Sequence, residues 1–224
     1  MKKFIESISN VWKIEELKNR ILITLGLLLV YRFGAQVTLP GIDATQLGNL
    51  AGQTKEGIGS ILDMFTGGAF SQASVFALGI MPYISASIVV QLMGIAIPYL
   101  QKLQSDGESG RKKINQITRW LTIGITLVQG PTYIYNLYRT LPSNAFLLGF
   151  NSFEFLFSSV IILVTGTIFA MWLGEKITDK GIGNGISLLI MVGILARFPQ
   201  AFIQEFTTRV TNNNGGPMLL VIEI

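Results

Sequence analysis

The chain has 224 residues and a formal net charge of +4, and it contains neither histidine nor cysteine. This composition excludes disulfides, thiol catalysis, histidine general bases and nearly all zinc or haem sites. Half of the residues are hydrophobic and only 13% are charged, which is about half the charged fraction of a soluble domain and indicates a membrane protein with several spans.

The N-terminal segment 1–20 carries apolar side chains at helical spacing, with charged residues between them. This pattern predicts an amphipathic helix that lies on the membrane surface. No short apolar stretch with a cleavage site follows it, so we do not expect a cleavable signal peptide. The apolar positions are Phe4, Ile5, Ile8, Val11, Trp12 and Ile14.

The first membrane span is predicted over 21–39. Its only charged residue is Arg32, whose long side chain can reach the membrane interface from near the far end of the span. Pro40-Gly41 is expected to end the span. The polar and glycine-rich residues that follow predict an external loop over 40–73.

The stretch Met64–Gln101 contains no charged residue over 38 positions. As a single helix it would be about 57 Å long, whereas the hydrocarbon core of a bilayer is only about 30 Å thick. We therefore expect Gly67-Gly68 to separate a short helix, Ile58–Phe65, from a full span. A helix too short to cross the membrane must be buried in protein or line a cavity.

The second span is predicted over 74–98, with Pro82 inside it and Pro98 at its end. Charge-free runs locate the later elements, so that the expected fold is an all-α polytopic membrane helix bundle with five spans and one re-entrant helix. These elements are a charged cytosolic loop (99–119), span 3 (120–139), an external loop (140–153), span 4 (154–174), a cytosolic loop (175–184), span 5 (185–203), an external loop (204–216) and the start of a sixth, incomplete apolar run (217–224).

The basic residues predict the orientation of the bundle. Twelve of the 17 Lys and Arg residues lie in the N-terminal segment and in the loops 99–119 and 175–184. The positive-inside rule places these segments in the cytosol, together with the N-terminus. The short helix Ile58–Phe65 then enters the bundle from the opposite side. Cytosolic loops beside anionic lipid account for the net positive charge, and no nucleic-acid binding is expected.

Few residues of the chain could take part in proton transfer or ligand binding. The predicted spans have no Asp, Glu or Lys at mid-depth, which argues against a proton relay. Gly181 and Gly183 match the start of a nucleotide-binding loop, but the third glycine of that motif would fall at Ile186. The segment Gly107–Lys113 has the composition to cradle an anion, although a solvated loop is the simpler interpretation. Glycines within the apolar segments fit either tight helix packing or hinges.

Several long motifs resemble those of the SecY family, the bacterial protein-translocation channels. They cover nearly the whole chain in the order and spacing of the family, which has ten spans in two halves around a pore, and the chain resembles the first half. The motifs are Pro40–Asp43, Met64–Ala69, Ala77–Ile88, Gly107–Lys112, Val164–Thr167, Met171–Thr178 and Gly181–Ser187.

The resemblance implies roles for three sets of residues. In the family, isoleucines form a narrow ring at mid-membrane, a short helix plugs the pore from outside, and spans 2 and 3 form one wall of a lateral gate toward lipid. By motif position, the ring corresponds to Ile80, Ile84, Ile186 and Ile190, the plug to Ile58, Ile61, Leu62, Met64, Phe65, Gly67 and Gly68, and the polar residues of the gate to Ser85, Ser87 and Gln91.

The two isoleucine pairs are each spaced i, i+4, so the members of a pair share one helix face. Spacing alone favours contact with lipid or with packed helices, and only the resemblance points to a pore. An apolar constriction opposes the passage of hydrated ions, whereas a polypeptide in transit can fill it.

The resemblance also implies a location and partners. It implies the N-terminal half of a channel in the bacterial inner membrane that moves unfolded polypeptides across and releases membrane spans into lipid, with no catalysis and no cofactor. SecE and SecG are the expected partner subunits, SecA or a ribosome would supply the energy, and signal sequences would enter the gate. Half of a secondary transporter stays an alternative, whereas an intramembrane enzyme is disfavoured because no His, Cys or mid-depth Asp pair is present.

Overall fold

The computed structural model describes residues 14–47, 58–142, 145–146 and 152–211, with backbone alone at 58, 152, 200–201 and 204–211. This part of the chain forms seven α-helices and one 3-10 helix, Ala44–Leu47, and its β-structure is limited to two isolated bridges. The predicted all-α class is confirmed, while most of 1–20 and all of 217–224 lie outside the described residues. The helices are α1 (Glu15–Gly34), α2 (Ile58–Phe65), α3 (Met81–Ala96), α4 (Pro98–Ser105), α5 (Gly107–Thr140), α6 (Ser152–Lys180) and α7 (Gly185–Thr211).

Membrane-spanning character is clearest in α6, which is long and apolar enough to cross a bilayer over Phe153–Lys180. Helices α3 and α4 meet the same criterion only as a pair that is bent by 103°. The apolar part of α7, Gly185–Pro199, is shorter. In α1 and α5, charged and polar residues are interspersed with the apolar ones. The count of five spans therefore stays a prediction.

Helix α1 ends at Gly34, before the predicted end of span 1 at Pro40-Gly41. The chain leaves the helix there because it pairs with the segment that precedes α3. The Val75 N–H donates to the Val37 carbonyl oxygen at 2.9 Å, and the Leu39 N–H donates to the Ala73 carbonyl oxygen at 2.8 Å. Tertiary hydrogen bonds thus replace the last turn of the expected helix.

The prediction that a single helix fills 74–98 is wrong, because α3 begins only at Met81. Residues 74–80 form turns: the Ser74 hydroxyl donates to the Gly34 carbonyl oxygen at 3.3 Å, and Gly79 has a φ of +51°. Pro82, expected inside the span, lies in the first turn of α3, where its missing N–H costs no helical hydrogen bond.

The predicted cytosolic loop 99–119 is instead helical, which corrects the sequence interpretation. Pro98 opens α4 after the bend, and α5 starts at Gly107. Charged residues do not break a helix when they lie on its exposed side. Here Lys112 forms an exposed i, i+4 ion pair with Glu108, while Leu103 of α4 is buried.

The helices also extend into the loops predicted on both sides of span 5. Helix α6 continues to Lys180 and α7 begins at Gly185, so that only 181–184 separates them. At its other end, α7 continues to Thr211, within the predicted loop 204–216. Asn184 ends this connection by accepting hydrogen bonds from the backbone N–H groups of Ile186 (3.1 Å) and Ser187 (3.2 Å), as a helix N-cap does. The charged segments 175–180 and 205–209 are therefore parts of the two helices and do not mark their ends.

Two clusters of buried residues hold the helices together, and α6 contributes to both. The first core joins α5, α6 and the segments around Leu39 and Ala73, and the second core joins α1, the turns before α3, α6 and α7. The first core consists of Leu39, Ile42, Leu47, Ala73, Ala77, Tyr133, Ile134, Leu137, Leu141, Ala145, Phe155 and Leu163, and the second of Tyr31, Ala35, Ala69, Phe76, Ile80, Ala170, Leu173, Ile177 and Leu189.

Gly166 of α6 offers a direct test of this packing. A Cβ at this position would lie 2.2 Å from the carbonyl oxygen of Val75. We expect Gly166→Ala to lower the free energy of unfolding by about 1–3 kcal/mol, the usual cost of overpacking, as measured by thermal unfolding of the purified protein in detergent. Gly124→Ala is the matched control, because no atom lies within 4 Å of its Cβ position. Equal unfolding temperatures for the two variants would contradict this packing.

Candidate functional site

The α2 segment, residues 58–73, comprises α2 and the turns that follow it. Helix α2 has the predicted bounds, Ile58–Phe65, and contacts α7. Their backbones touch: a Cβ on Gly193 of α7 would lie 2.7 Å from the Phe65 carbonyl oxygen. Gly67 has a φ of +64°, and its Cβ position is 2.9 Å from Gly193 Cα. Both positions therefore favour glycine.

A buried ion pair joins the α2 segment to α7. Asp63 is only 3% exposed, and its carboxylate pairs with the guanidinium of Arg197. The same carboxylate accepts a hydrogen bond from the Ser71 N–H at 2.8 Å, and Arg197 Nη2 donates to the Ser71 hydroxyl at 2.9 Å. One guanidinium thus binds both the helix and the turn that follows it.

Two more helices hold the α2 segment. Arg32 in the last turn of α1 donates from Nη1 to the carbonyl oxygen of Gly67 at 3.1 Å. Tyr133 of α5 donates its hydroxyl to the Phe70 carbonyl oxygen at 2.8 Å, and the centroids of the two rings are 4.9 Å apart. The α2 segment is therefore tied to α1, α5 and α7.

Three of the four isoleucines predicted to form a ring lie at one cluster. Ile80 belongs to the second core, and Ile84 and Ile186 pack against that core. Ile186 can approach α6 because Gly174 has no side chain: a Cβ there would lie 2.8 Å from Ile186 Cγ1. Ile190, one helical turn after Ile186, is half-buried and lines a groove along α7 beside Met191 and Ile194.

The side chains of α2 predicted to belong to a plug lie in different environments. Ile61 and Met64 are exposed on this chain, and Phe65 is half-buried. Gly68 has a φ of +96°, and its Cβ position is 2.9 Å from Arg197 Nη2. The side chain of Ile58 lies outside the described atoms.

A cavity of about 330 Å³ lies between the α2 segment, α3 and α5. Of the three residues predicted for the gate, Ser85 lines it, while Gln91 is exposed and donates from Nε2 to the Ser87 hydroxyl at 3.2 Å. The cavity is lined by Leu62, Thr66, Phe70, Ala77, Leu78, Met81, Ser85, Val128, Gln129, Thr132, Tyr133 and Asn136. It is an apolar groove with a few hydroxyl and amide groups. Across the described ranges, no three His, Cys, Asp or Glu side chains come together as a metal site would require.

The sequence interpretation missed the residues that hold the α2 segment. Asp63 falls within the predicted external loop 40–73, Arg197 falls within the predicted span 5, and the sequence indicates no role for Tyr133. The first two carried a usable signal, because an ionisable residue within an apolar membrane segment is expected to have an oppositely charged partner. No such signal exists for Tyr133.

Comparisons with known proteins find relatives over most of the chain. The SecY family model matches residues 74–224. The protein translocase subunit SecY of Haemophilus influenzae is 48% identical over 192 residues, which is 84% of this chain and 42% of the relative. The same subunit of Escherichia coli K12 is 48% identical over 83% of this chain and 42% of its own length. The chain thus spans less than half of these relatives.

Solved structures share the fold. Sec61 in a canine ribosome–channel complex from the endoplasmic reticulum matches with a TM-score of 0.52 at 21% sequence identity, over 87% of this chain and 42% of that one. A structure described as a protein conducting channel matches with the same TM-score and identity, over 87% of this chain and 41% of that one. The helical arrangement described above is therefore that of known channel subunits.

Tyr133→Phe tests the tie between α5 and the α2 segment. The variant keeps the ring contact but leaves the Phe70 carbonyl oxygen without its donor, so we expect a loss of about 1 kcal/mol of stability and faster amide exchange over 66–73. Hydrogen–deuterium exchange with mass spectrometry measures this effect. Tyr135→Phe, at an exposed position of the same helix, is the control, and identical exchange in both variants would exclude a role for the Tyr133 hydroxyl.

Proposed function

The chain belongs to the SecY family, and on that premise we propose that it forms the N-terminal half of a protein-conducting channel. This channel moves unfolded polypeptides across a membrane and releases membrane spans sideways into the lipid. The observation that carries the proposal is the position of the α2 segment, which contains a helix too short to cross a bilayer and is bound by three other helices. The α2 segment also contributes Ala69 to the core that contains Ile80.

In the proposed resting state, the isoleucines form the constriction and the α2 segment is the plug. Ile84 and Ile186 come from α3 and α7 and pack on the same core, which supports their assignment to one ring. Their apolar side chains bind no ion, so an ion would have to lose its hydration shell to pass. A polypeptide in transit displaces the plug and fills the opening with its own side chains.

We place the chain in the bacterial inner membrane with its N-terminus in the cytosol. Family membership and the apolar helix α6 support a membrane location. Two contacts support the orientation, because they bring the basic segments to one end of the bundle. Arg119 of α5 donates to Glu175 of α6 at 3.1 Å, and Thr24 of α1 accepts the N–H of Ile182 at 3.1 Å.

The proposed channel takes its energy from partners and has no catalytic step of its own. We expect SecE to hold the two halves of the channel together and SecG to be the third subunit. The SecA motor or a translating ribosome would drive the polypeptide. Signal sequences would enter through the lateral gate, for which the groove between α3, α5 and the α2 segment is the proposed wall.

Depletion of the protein in its native cell tests this function. We expect precursors that carry signal sequences to accumulate in the cytosol, and we expect purified channel in liposomes to translocate such a precursor when SecA and ATP are added. Transport of a small solute with normal protein export would contradict the proposal and would favour a transporter.

Ile84→Asn tests the constriction. A polar amide at the ring lowers the cost of dehydrating an ion, so we expect the resting ion conductance of the reconstituted channel to rise severalfold. Ile95→Asn on the same helix is the matched control, because Ile95 is 73% exposed. If the two variants conduct equally, Ile84 does not belong to the constriction.

Gln91→Leu tests the gate wall. The substitution removes an exposed amide from α3 and makes that surface more apolar, so we expect precursors with weakly hydrophobic signal sequences to be exported more efficiently, while strong signal sequences are unaffected. The ratio of the two export rates measures this stringency. Gln116→Leu, an exposed position of α5, is the control. Unchanged export of weak signal sequences would count against the assignment.

A further inference from the structure

We propose that Asp63 and Arg197 form an electrostatic latch that holds the plug in its closed position. Arg197 is then a positioning residue, since it acts on the pore through the α2 segment. The inference rests on the proposed function, because a latch has a purpose only if the α2 segment moves.

The two ends of the latch belong to elements that must separate when the plug moves. Asp63 lies in α2 and Arg197 lies in α7. Besides the carboxylate, Arg197 binds the hydroxyl of Ser71 at 2.9 Å, and Asp63 accepts the Ser71 N–H at 2.8 Å. The guanidinium therefore binds the α2 segment at two points and holds it as one unit.

The burial of the pair distinguishes it from the other ion pairs of the described residues. The side chain of Asp63 is 4% exposed, whereas the carboxylates of the other pairs are 25% exposed in the pair between α5 and α6 and largely exposed in the pairs within α1 and within α5. A buried carboxylate without a partner is costly. The pair therefore opposes any movement that separates the two charges while Asp63 remains inside the protein.

The same geometry makes the latch reversible. The side chain of Arg197 is 37% exposed, so water reaches its guanidinium without a rearrangement of α7. Outward movement of the plug would bring Asp63 into water as well, and two hydrated charges attract each other weakly. The pair is strong in the closed position and weak after release.

The glycines around the pair are consistent with this role. A Cβ on Gly68 would lie 2.9 Å from Arg197 Nη2, and a Cβ on Gly67 would lie 2.8 Å from Arg32 Nη1. Because glycine has no side chain, an arginine can lie against the backbone of the α2 segment at each of these two positions.

The test measures resting ion conductance in the intact channel complex reconstituted in liposomes. Arg197→Gln leaves the buried carboxylate unpaired, and we expect conductance to rise by about tenfold. The cost of breaking this pair should lie between the cost for an exposed ion pair and the cost for a fully buried one. Asp63→Asn leaves only the hydrated guanidinium unpaired, so its effect is expected to be smaller. Because the two residues are coupled, the increase in conductance of the double variant should be smaller than the product of the increases of the two single variants.

A second measurement follows the plug itself. The chain has no cysteine, so Phe65→Cys introduces a unique thiol on α2, whose reaction rate with an external maleimide should rise when Arg197→Gln is added. Arg197→Lys keeps the charge and should retain part of the latch. Arg119→Gln is the matched control, because it removes an Arg–carboxylate pair that joins α5 to α6, and it should change neither conductance nor labelling.

The outcomes separate the latch from the proposed function. If the wild-type channel translocates a precursor but Arg197→Gln leaves conductance and labelling unchanged, the latch is wrong and the channel assignment stands. Effects of Asp63→Asn and Arg197→Gln that multiply independently would also overturn the latch. If the wild-type complex translocates nothing, the proposed function itself fails.

Discussion

The close approach of the α2 segment to α7 is the constraint on which the proposed closed state depends. The two backbones touch at Gly67 and Gly193, where any side chain would separate them. This proximity allows the carboxylate of Asp63 to meet the guanidinium of Arg197. Glycine packing and charge pairing therefore act together: the glycines set the distance, and the ion pair makes one lateral position of α2 more favourable than its neighbours.

The location of the helices was predictable from the sequence, but their ends were not. Charge-free runs indicated α3, α5, α6 and α7 because apolar length is what the bilayer selects. The same criterion placed loops at 99–119 and 175–184, where most of the chain is helical. Charged residues show where a segment can leave the hydrocarbon core. Backbone hydrogen bonds decide where a helix ends, and they can continue beyond the hydrocarbon core into water.

The part of the candidate site that is formed by neighbouring residues in the sequence could be predicted. The short helix Ile58–Phe65 followed from the excess length of an uncharged stretch and from Gly67-Gly68, and the structure has a helix over these residues that ends before the two glycines. The contacts of this helix depend on residues of α1, α5 and α7 that are distant in sequence. Periodicity describes which face a residue occupies on its own helix, but it does not identify the partner across the interface. The role of Tyr133 and the pairing of Arg197 with Asp63 therefore became apparent only from the fold.

Two of the three ties of the α2 segment, those from Tyr133 and Arg197, differ in what releases them. The Tyr133 hydrogen bond comes from α5, the helix that also lines the groove proposed as the gate wall, so movement of α5 toward lipid would free the Phe70 carbonyl oxygen directly. The Arg197 pair responds instead to water, since its strength depends on the burial of Asp63. A polypeptide that both parts the helices and admits water would weaken the two ties together, whereas an ion alone does neither. In the proposed channel, selective opening by a polypeptide would follow from the different chemistry of these two ties.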